Sequence, residues 1–266
     1  MYLQEPIEQL AARSSVKLTV LKRREDVHAH FARAIADEIK ANNARNEPTR
    51  LILPVGPTLH YPLLAEITNR ERISWKNVHT FNMDEYLDWQ GRPLPPEHPL
   101  SFVGFMRRFF HQIDESLRIP SEQMWFPDVC EIDRISEKIR EVGGIDTCYG
   151  GIGVHGHLAF NEPPISRFHQ VSLEEFANSR TRIVPLAPET IVMNSIRACG
   201  GSFHDFPPLA VTIGMADILQ SRRIRLYCDG GEWQRTALRE ALGGPPRIEY
   251  PVTLIQRPRD AAIVTT

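Results

Sequence analysis

Short apolar runs alternate with longer amphipathic segments along the chain of 266 residues. Short apolar runs bounded by turn residues are typical of buried strands, whereas apolar residues that recur every three or four positions are typical of helices. These patterns predict strands over 17–22, 51–55, 78–83, 147–152, 181–186, 210–213, 224–228 and 261–264. They predict helices over 25–41, 59–71, 101–112 and 133–142, with further helices after Gly214 and Gly231.

The order of these elements indicates a fold class. Strands that alternate with helices predict an α/β fold, a doubly wound, mostly parallel sheet of the Rossmann-like type with helices on both faces. No repeat, low-complexity stretch or linker divides the chain, so we predict a single domain over residues 1–266. In such a sheet, ligands bind outside the carboxyl ends of the strands, which makes the loops after strands the places where chemistry is expected.

Composition and charge exclude several classes of protein. The 31 basic residues nearly balance the 33 acidic ones, giving a net charge of −2, which argues against a nucleic-acid partner. The four cysteines lie far apart without a C-x-x-C pair, which argues against a disulfide scaffold and the common cysteine zinc motifs. Neither an 18-residue apolar run nor the apolar stretch of a secretory signal is visible, so we expect no membrane partner and a cytoplasmic location.

The first loop of interest, residues 54–58, connects a predicted strand to a predicted helix. Gly56 followed by Thr58 at a helix N-terminus can hold an anion through backbone amides, a hydroxyl and the helix dipole. Pro57 weakens such a site because proline has no N–H to donate. A simple turn followed by a helix cap is the commoner explanation of this pattern.

The second loop, residues 82–86, follows the predicted strand 78–83 and brings two adjacent carboxylates, Asp84 and Glu85. Successive side chains at a strand end point in different directions, so we expect at most one of the two to face a ligand. A carboxyl group held among apolar groups has a raised pKa and can carry a proton. The alternative is a solvated first turn of a helix, where acidic residues are common.

The third loop, residues 150–162, contains four glycines together with His155, His157 and Glu162. Glycines let the backbone approach a ligand closely, and imidazole with carboxylate suits proton transfer near neutral pH. The H-x-H pair can instead bind zinc with Glu162 as a third ligand. Because no H-x-x-x-H or cysteine ligand set accompanies it, the residues favour proton transfer over a metal site.

Several segments together carry a resemblance to a known family. They are VHTFNMDEY (78–86), EHPLSFVGFMRRFF (97–110), GGIGVHGHLAFNEP (150–163), SRTRIVPL (179–186) and PVTLIQRPRDAAIV (251–264). The chain resembles a divergent member of the glucosamine-6-phosphate deaminase/isomerase family, within the 6-phosphogluconolactonase-like superfamily. The NMDEY and AFNEP forms favour the deaminase branch over the lactonases.

The resemblance implies an enzyme that opens the ring of an amino-sugar phosphate, moves a proton between C2 and C1 and releases ammonia. It implies no metal and no redox cofactor, a small-molecule sugar or sugar phosphate as partner, and a homo-oligomer. It makes Asp84 the proton shuttle, His157 the ring-opening acid/base and Glu162 the group that orients His157, with residues 164–208, approximately, as a lid segment. The substrate contacts that it implies are Gly56, Thr58, Glu85, Gly153 and Arg182.

The chain departs from the family pattern at two places. His155 stands where the family has an aspartate, which should lower the pKa of His157 and alter the ring-opening relay. At the phosphate site, Pro57, Ile191 and Trp233 stand where an amide donor and two cations are expected. Arg197 and Arg235 lie close enough in sequence to replace those cations.

Three hypotheses follow. The first is an isomerase/deaminase acting on an amino sugar or amino-sugar phosphate, with an altered phosphate site. The second is a sugar lactone hydrolase of the 6-phosphogluconolactonase type. The third is a catalytically weakened sugar-binding protein, suggested by His155 and by the missing cations.

Overall fold

The computed structural model describes residues 2–164, 170–229, 231–257 and 260–266. The described strands are β1 (Lys17–Val20), β2 (Thr49–Leu53), β3 (Val78–Asn82), β4 (Asp84–Leu87), β5 (Met124–Trp125), β6 (Thr147–Gly150), β7 (Arg182–Pro185), β8 (Leu209–Thr212), β9 (Arg223–Tyr227) and β10 (Ala261–Thr265). The described α-helices are α1 (Ile7–Arg13), α2 (Arg24–Ala44), α3 (His60–Arg70), α4 (Phe102–His111), α5 (Arg134–Glu141), α6 (Leu173–Ala177), α7 (Pro188–Ala198), α8 (Met215–Leu219) and α9 (Arg235–Gly243).

A parallel sheet of seven strands, in the order β1-β10-β9-β6-β2-β3-β5, forms the centre of the fold. Alternate residues of one strand enter different apolar cores: Ile52 packs with residues of α5, α8 and α9, whereas Leu51 and Leu53 pack with residues of α2, α3 and α4. This alternation follows from the two-residue period of a strand and shows that helices cover both faces. The predicted α/β fold with a mostly parallel sheet is confirmed.

A second, antiparallel sheet of three strands, in the order β4-β8-β7, lies apart from the parallel one. The strands predicted over 181–186 and 210–213 belong to this sheet, so their placement in one parallel sheet is wrong. The sequence prediction also missed β4, because Asp84 and Glu85 at its start are acidic and 82–86 was assigned to a loop after β3. Met83 joins the sheets: its amide donates to Leu53 O, and its carbonyl accepts from the Ile213 amide.

The predicted helices agree with α2, α3, α4 and α5 to within a few residues at each end. The predicted lid segment, 164–208, contains α6, β7 and α7, while its residues 165–169 lie outside the described part of the chain. Its motion as a lid stays a prediction. Within the described ranges, no helix combines the length and the apolar character needed to cross a membrane.

Candidate active site

A cavity of about 780 Å³ opens where the carboxyl ends of β2, β3 and β6 face the second sheet. Its walls come from the loops after these strands, from α7 and from the loop after β9. All three loops singled out in the sequence meet here, as expected for an open α/β sheet. The predicted site residues that line the cavity are Gly56, Thr58, Asp84, Gly153 and His157.

Asp84 is a buried carboxyl group at one wall of this cavity, with only 6% of its surface exposed. It begins β4 and pairs with Thr212 of β8, so the second sheet fixes its backbone. Burial, and then the neighbouring carboxyl of Glu85, raise the pKa of Asp84 well above its ordinary value. A carboxyl group of this kind can give and take a proton near neutral pH.

Glu85 points away from the cavity and towards the N-terminus of α4. Its carboxylate accepts hydrogen bonds from the Ser101 hydroxyl (3.0 Å) and from the amides of Phe102 (2.9 Å) and Val103 (2.8 Å). The Ser101 hydroxyl in turn accepts from the Gly104 amide. Glu85 therefore caps α4 in this structure, because adjacent residues of a strand face opposite sides, and its substrate contact stays a prediction.

His157 is a buried imidazole whose position depends on a glycine. An added Cβ at Gly153 would come within 1.9 Å of His157 Nε2, so only glycine leaves room for this ring. The Gly153 amide also donates to the His157 carbonyl at 3.0 Å, which closes the turn between them. Gly153 thus lines the cavity and holds the imidazole in place.

Glu162 lies behind His157, and α7 holds its carboxylate. Glu162 Oε1 is 3.6 Å from His157 Nδ1. The Ala187 amide donates to Glu162 Oε2 at 2.6 Å, and the Thr190 hydroxyl donates to Oε1. Burial raises the pKa of Glu162 despite these donors. The predicted pairing of Glu162 with His157 is present in the structure.

His155 completes this group from a half-buried position. Its Nε2 lies 3.6 Å from Glu189 Oε2, and its ring centroid lies 5.8 Å from that of His157. Burial, with His155 as the second cause, lowers the pKa of His157 to about 3, which confirms the predicted direction. Ligand atoms of His155, His157 and Glu162 all lie within 4.8 Å of one another.

The cavity lining also includes the predicted phosphate loop. Gly56 and Thr58 line the cavity, and Gly56 has a φ of +136°, a conformation that residues other than glycine rarely adopt. Trp233 lines the cavity as well. Ile191 packs instead against the aromatic cluster around Tyr86, so the residue at the expected arginine position contributes packing rather than charge.

Two arginines supply positive charge at the cavity. Arg197, on α7, lines it with the guanidinium carbon 5.3 Å from the Trp233 ring centroid. Arg24, at the start of α2, lines it and pairs with Asp229 at 2.6 Å. Arg235 pairs with Glu232 and lines a different depression. Arg24 was missed in the sequence, although it follows the end of a strand as the other site residues do.

Arg182, predicted to contact substrate, lies on β7 outside the cavity lining. Its Nη1 donates to Asn161 Oδ1 at 2.8 Å. The Asn161 amide group donates to the carbonyls of Leu158 and Ile213. Arg182 therefore supports the loop that carries His157 and Glu162 in this structure, and its substrate contact stays a prediction.

Known proteins are similar in sequence to this chain over most of its length. A scan against protein-family models finds no match. A glucosamine-6-phosphate deaminase of Mannheimia succiniciproducens is 34% identical over 259 residues, covering 94% of this chain and 89% of the relative. One of Bacteroides thetaiotaomicron is 35% identical over 244 residues, covering 89% and 82%.

Solved structures give the same result for the fold. A monomeric glucosamine-6-phosphate deaminase superposes with a TM-score of 0.78 at 26% identity, covering 94% of this chain and 97% of that one. A 6-phosphogluconolactonase from Shewanella baltica has a TM-score of 0.67 at 19% identity, covering 94% and 97%. The second likeness concerns the fold alone.

Proposed function

Because this chain belongs to the glucosamine-6-phosphate deaminase family, we propose that it converts an amino-sugar phosphate into a ketose phosphate and ammonia. In the open-chain sugar, a proton leaves C2 and is returned to C1, which turns the amino aldehyde into an imine. Water then hydrolyses the imine to the ketose and ammonia. The reaction needs one group that holds a proton beside C2 and C1.

The observation that carries this proposal is Asp84. It is the buried carboxyl group of the cavity wall whose pKa burial raises, and it lies on a rigid strand rather than on a mobile loop. A carboxyl group in these surroundings takes the proton from C2 and returns it to C1 without a large energetic penalty in either state. We assign the C2–C1 transfer to Asp84.

We assign ring opening to the other polar group of the cavity, formed by His155, His157 and Glu162. His157 lines the cavity, and the Glu162 carboxylate lies 3.6 Å from its Nδ1. His157 is distant from Asp84 in sequence, but both residues line the same cavity. Two steps on adjacent carbons of one sugar require such an arrangement.

We assign the phosphate to the end of the cavity formed by Gly56, Thr58 and Arg197. The Arg197 guanidinium lies over the Trp233 ring and supplies positive charge at the cavity. This cation is present although Ile191 and Trp233 stand where the family's arginine and lysine are expected. Arg24 also lines the cavity, where Asp229 balances its charge at 2.6 Å. Charge-assisted hydrogen bonds from guanidinium groups bind phosphate strongly. The substrate proposed here is therefore phosphorylated.

The test is a substrate panel on the purified protein. Glucosamine 6-phosphate, unphosphorylated glucosamine and 6-phosphogluconolactone are each incubated with the protein while ammonia, ketose and lactone hydrolysis are measured. We expect equal amounts of ammonia and ketose phosphate from the phosphorylated amino sugar, and much lower turnover of the other two. Lactone hydrolysis without ammonia release, or binding of sugar phosphate without any turnover, would overturn the proposal.

We also propose a cytoplasmic location and a homo-oligomeric state. The four cysteines are all free thiols, and two of them, Cys148 and Cys228, are buried in the core, which is typical of a reducing compartment. Size-exclusion chromatography with light scattering tests the oligomer, and a mass of 30.4 kDa in solution would contradict it.

A further inference from the structure

The loop that carries His155, His157 and Glu162 brings together three side chains of the kinds that bind transition metals. One ligand atom from each of the three lies within 4.8 Å of the other two. Two imidazoles and one carboxylate are a protein ligand set of catalytic zinc sites, which leave the fourth position to water or substrate. This set of two imidazoles and one carboxylate is present because residue 155 is a histidine.

Two donor atoms of this group have no hydrogen-bond partner among the described residues. Nδ1 of His155 and Nδ1 of His157 are both buried and unpaired. His157 is 93% buried, since 7% of its surface is exposed, and its Nδ1 faces Glu162 Oε1 at 3.6 Å. A buried nitrogen without a partner costs free energy, which a bound cation offsets.

The backbone between the two histidines adopts a conformation that favours glycine. Gly156 has a φ of +70°, and the imidazole centroids of His155 and His157 lie 5.8 Å apart. An added Cβ at Gly156 would also come within 2.9 Å of Val252 Cγ1. The carboxylate of Glu162 is held by the Ala187 amide and the Thr190 hydroxyl. Hydrogen bonds of this kind to a carboxylate are typical of the surroundings of metal ligands.

We propose that His155, His157 and Glu162 bind a divalent transition-metal cation, best matched by Zn²⁺, on the side of His157 that faces Glu162, behind the cavity wall. Zinc bonds of about 2.0–2.1 Å require ligand atoms about 3.4 Å apart in a tetrahedron, so the three donors must move inwards by roughly 1 Å. The half-buried His155 has the freedom for that movement, whereas Glu162 and His157 are fixed. Glu189, 3.6 Å from His155 Nε2, adds negative charge at the edge of the site.

The chemical consequence rests on the proposed function. A cation bound at Nδ1 of His157 would fix the orientation of this imidazole, which lines the cavity that also contains Asp84. The binding of the cation itself does not depend on the reaction, so the two can be tested apart.

The experiment measures zinc binding to the full chain. Protein freed of metal with EDTA and dialysed is titrated with ZnCl₂ in competition with a chromophoric chelator. We expect one tight equivalent per chain, and about a tenfold or greater loss of affinity in His155→Asn and in Glu162→Gln. The matched control is His111→Asn, because His111 is exposed at the end of α4, and its affinity should equal that of the wild type.

A second readout identifies the coordination. Co²⁺ in place of Zn²⁺ should give the visible absorption of a four-coordinate site in the wild type and in His111→Asn, and lose it in His155→Asn. Since His155 is half-buried, circular dichroism of that variant should match the wild type. Absence of a tight equivalent, or equal losses in His155→Asn and His111→Asn, would overturn the proposal.

Activity separates this proposal from the proposed function. Zinc binding that depends on His155, in a protein that releases no ammonia, would support the metal site and contradict the deaminase. Ammonia release by a protein that binds no zinc and is unaffected by EDTA would support the deaminase and overturn the metal site.

Discussion

Asp84 and Glu85 are neighbours in sequence with opposite surroundings. The Asp84 carboxyl faces the cavity. The Glu85 carboxylate instead accepts four hydrogen bonds, from the Ser101 hydroxyl and from the backbone amides of Tyr86, Phe102 and Val103. Burial raises the pKa of both groups, although the hydrogen bonds to Glu85 partly oppose the shift. Both residues are buried, so their hydrogen-bond partners distinguish them. We therefore assign a chemical role to Asp84 and a structural role to Glu85.

The raised pKa of Asp84 predicts a dependence of stability on pH. Between the ordinary carboxyl pKa and the raised folded value, the folded chain binds more protons than the unfolded chain. The free energy of unfolding therefore falls as pH rises through this window, and the stabilisation is complete only below the ordinary pKa. Asp84→Asn removes this dependence, so its melting temperature relative to the wild type should increase with pH.

Thermal unfolding of both proteins across a pH series measures this difference. The exposed Asp37→Asn serves as the control and should follow the wild type at every pH. Asp84 itself contributes to the raised pKa values of Tyr61 and Tyr86, so the series is kept below the ordinary tyrosine pKa, where neither phenol ionises in the folded protein. Glu85, whose pKa is also raised, is present in both proteins. A constant difference between Asp84→Asn and wild type at all pH values would contradict the assigned pKa shift.

Gly153 predicts a second effect at the residue scale. In Gly153→Ala, the added methyl group would overlap the His157 imidazole, which must rotate or shift. We expect kcat/KM for the amino-sugar phosphate to fall by about tenfold or more, because an ångström-scale displacement of a site residue is costly. Steady-state kinetics checks this, and unchanged kinetics would show that the ring position does not matter.

At the scale of elements, β4 connects the reaction site to α4. Asp84 at its start belongs to the cavity, and Glu85 caps α4 through the amides of Phe102 and Val103. Since these bonds are buried and charge-assisted, their loss costs more than the loss of a surface cap. A change at Glu85 should therefore act on folding, while a change at Asp84 acts on turnover.

Glu85→Gln tests this division with a minimal change of shape. We expect the free energy of unfolding to fall by about 1–3 kcal/mol, because the amide cannot accept all the hydrogen bonds that the carboxylate accepts. Denaturant unfolding of this variant beside the wild type measures the cost. Lost turnover at unchanged stability would instead place Glu85 in the reaction.

The sequence predicted the parallel strands well and the second sheet poorly, for a physical reason. The apolar runs at β2, β3, β6, β9 and β10 mark strands buried on both faces. The pattern of β7 and β8 also indicates strands, but it carries no information on which strand each one pairs with. Pairing depends on contacts distant in sequence, such as Asp84 with Thr212, so a single sheet was the simplest expectation.

The same limit applies to the site. Loop position and residue type singled out Asp84, His157 and Glu162 as candidates, because each follows the end of a predicted strand. The hydrogen-bond partners of Glu85 and Arg182 could not be predicted, because the direction of a side chain depends on packing. Arg24 was missed because β1 is the edge strand of the sheet, and only the fold brings the residues after it to the cavity.

At the scale of the whole molecule, the cavity lies between two sheets, and its lining combines two kinds of chemistry. Asp84 and His157 supply a carboxyl and an imidazole group, and Arg197, beside Trp233, supplies positive charge. A net charge of −2 is compatible with an anionic substrate, because the local charge at the cavity rather than the net charge of the chain acts on the ligand.

Arg197 predicts how the phosphate is bound. In Arg197→Ala, KM for glucosamine 6-phosphate should increase by about ten- to a hundredfold, the loss expected for a charge-assisted hydrogen bond. The control is Arg235→Ala, since Arg235 pairs with Glu232 outside this cavity. Steady-state kinetics on both variants measures their KM values and tests whether Arg197 binds the phosphate. Equal KM values in the two variants would show that the phosphate is bound elsewhere.

The most direct test of the account is the rate of ammonia release from glucosamine 6-phosphate by the wild type and by Asp84→Asn. We predict clear turnover by the wild type and a loss of about 10²- to 10⁴-fold in kcat for Asp84→Asn, which is the usual contribution of a positioned acid or base. Glu85→Gln should stay close to the wild type. Equal rates for Asp84→Asn and the wild type, or no ammonia from the wild type, would contradict the assignment of Asp84 as the proton shuttle of a deaminase.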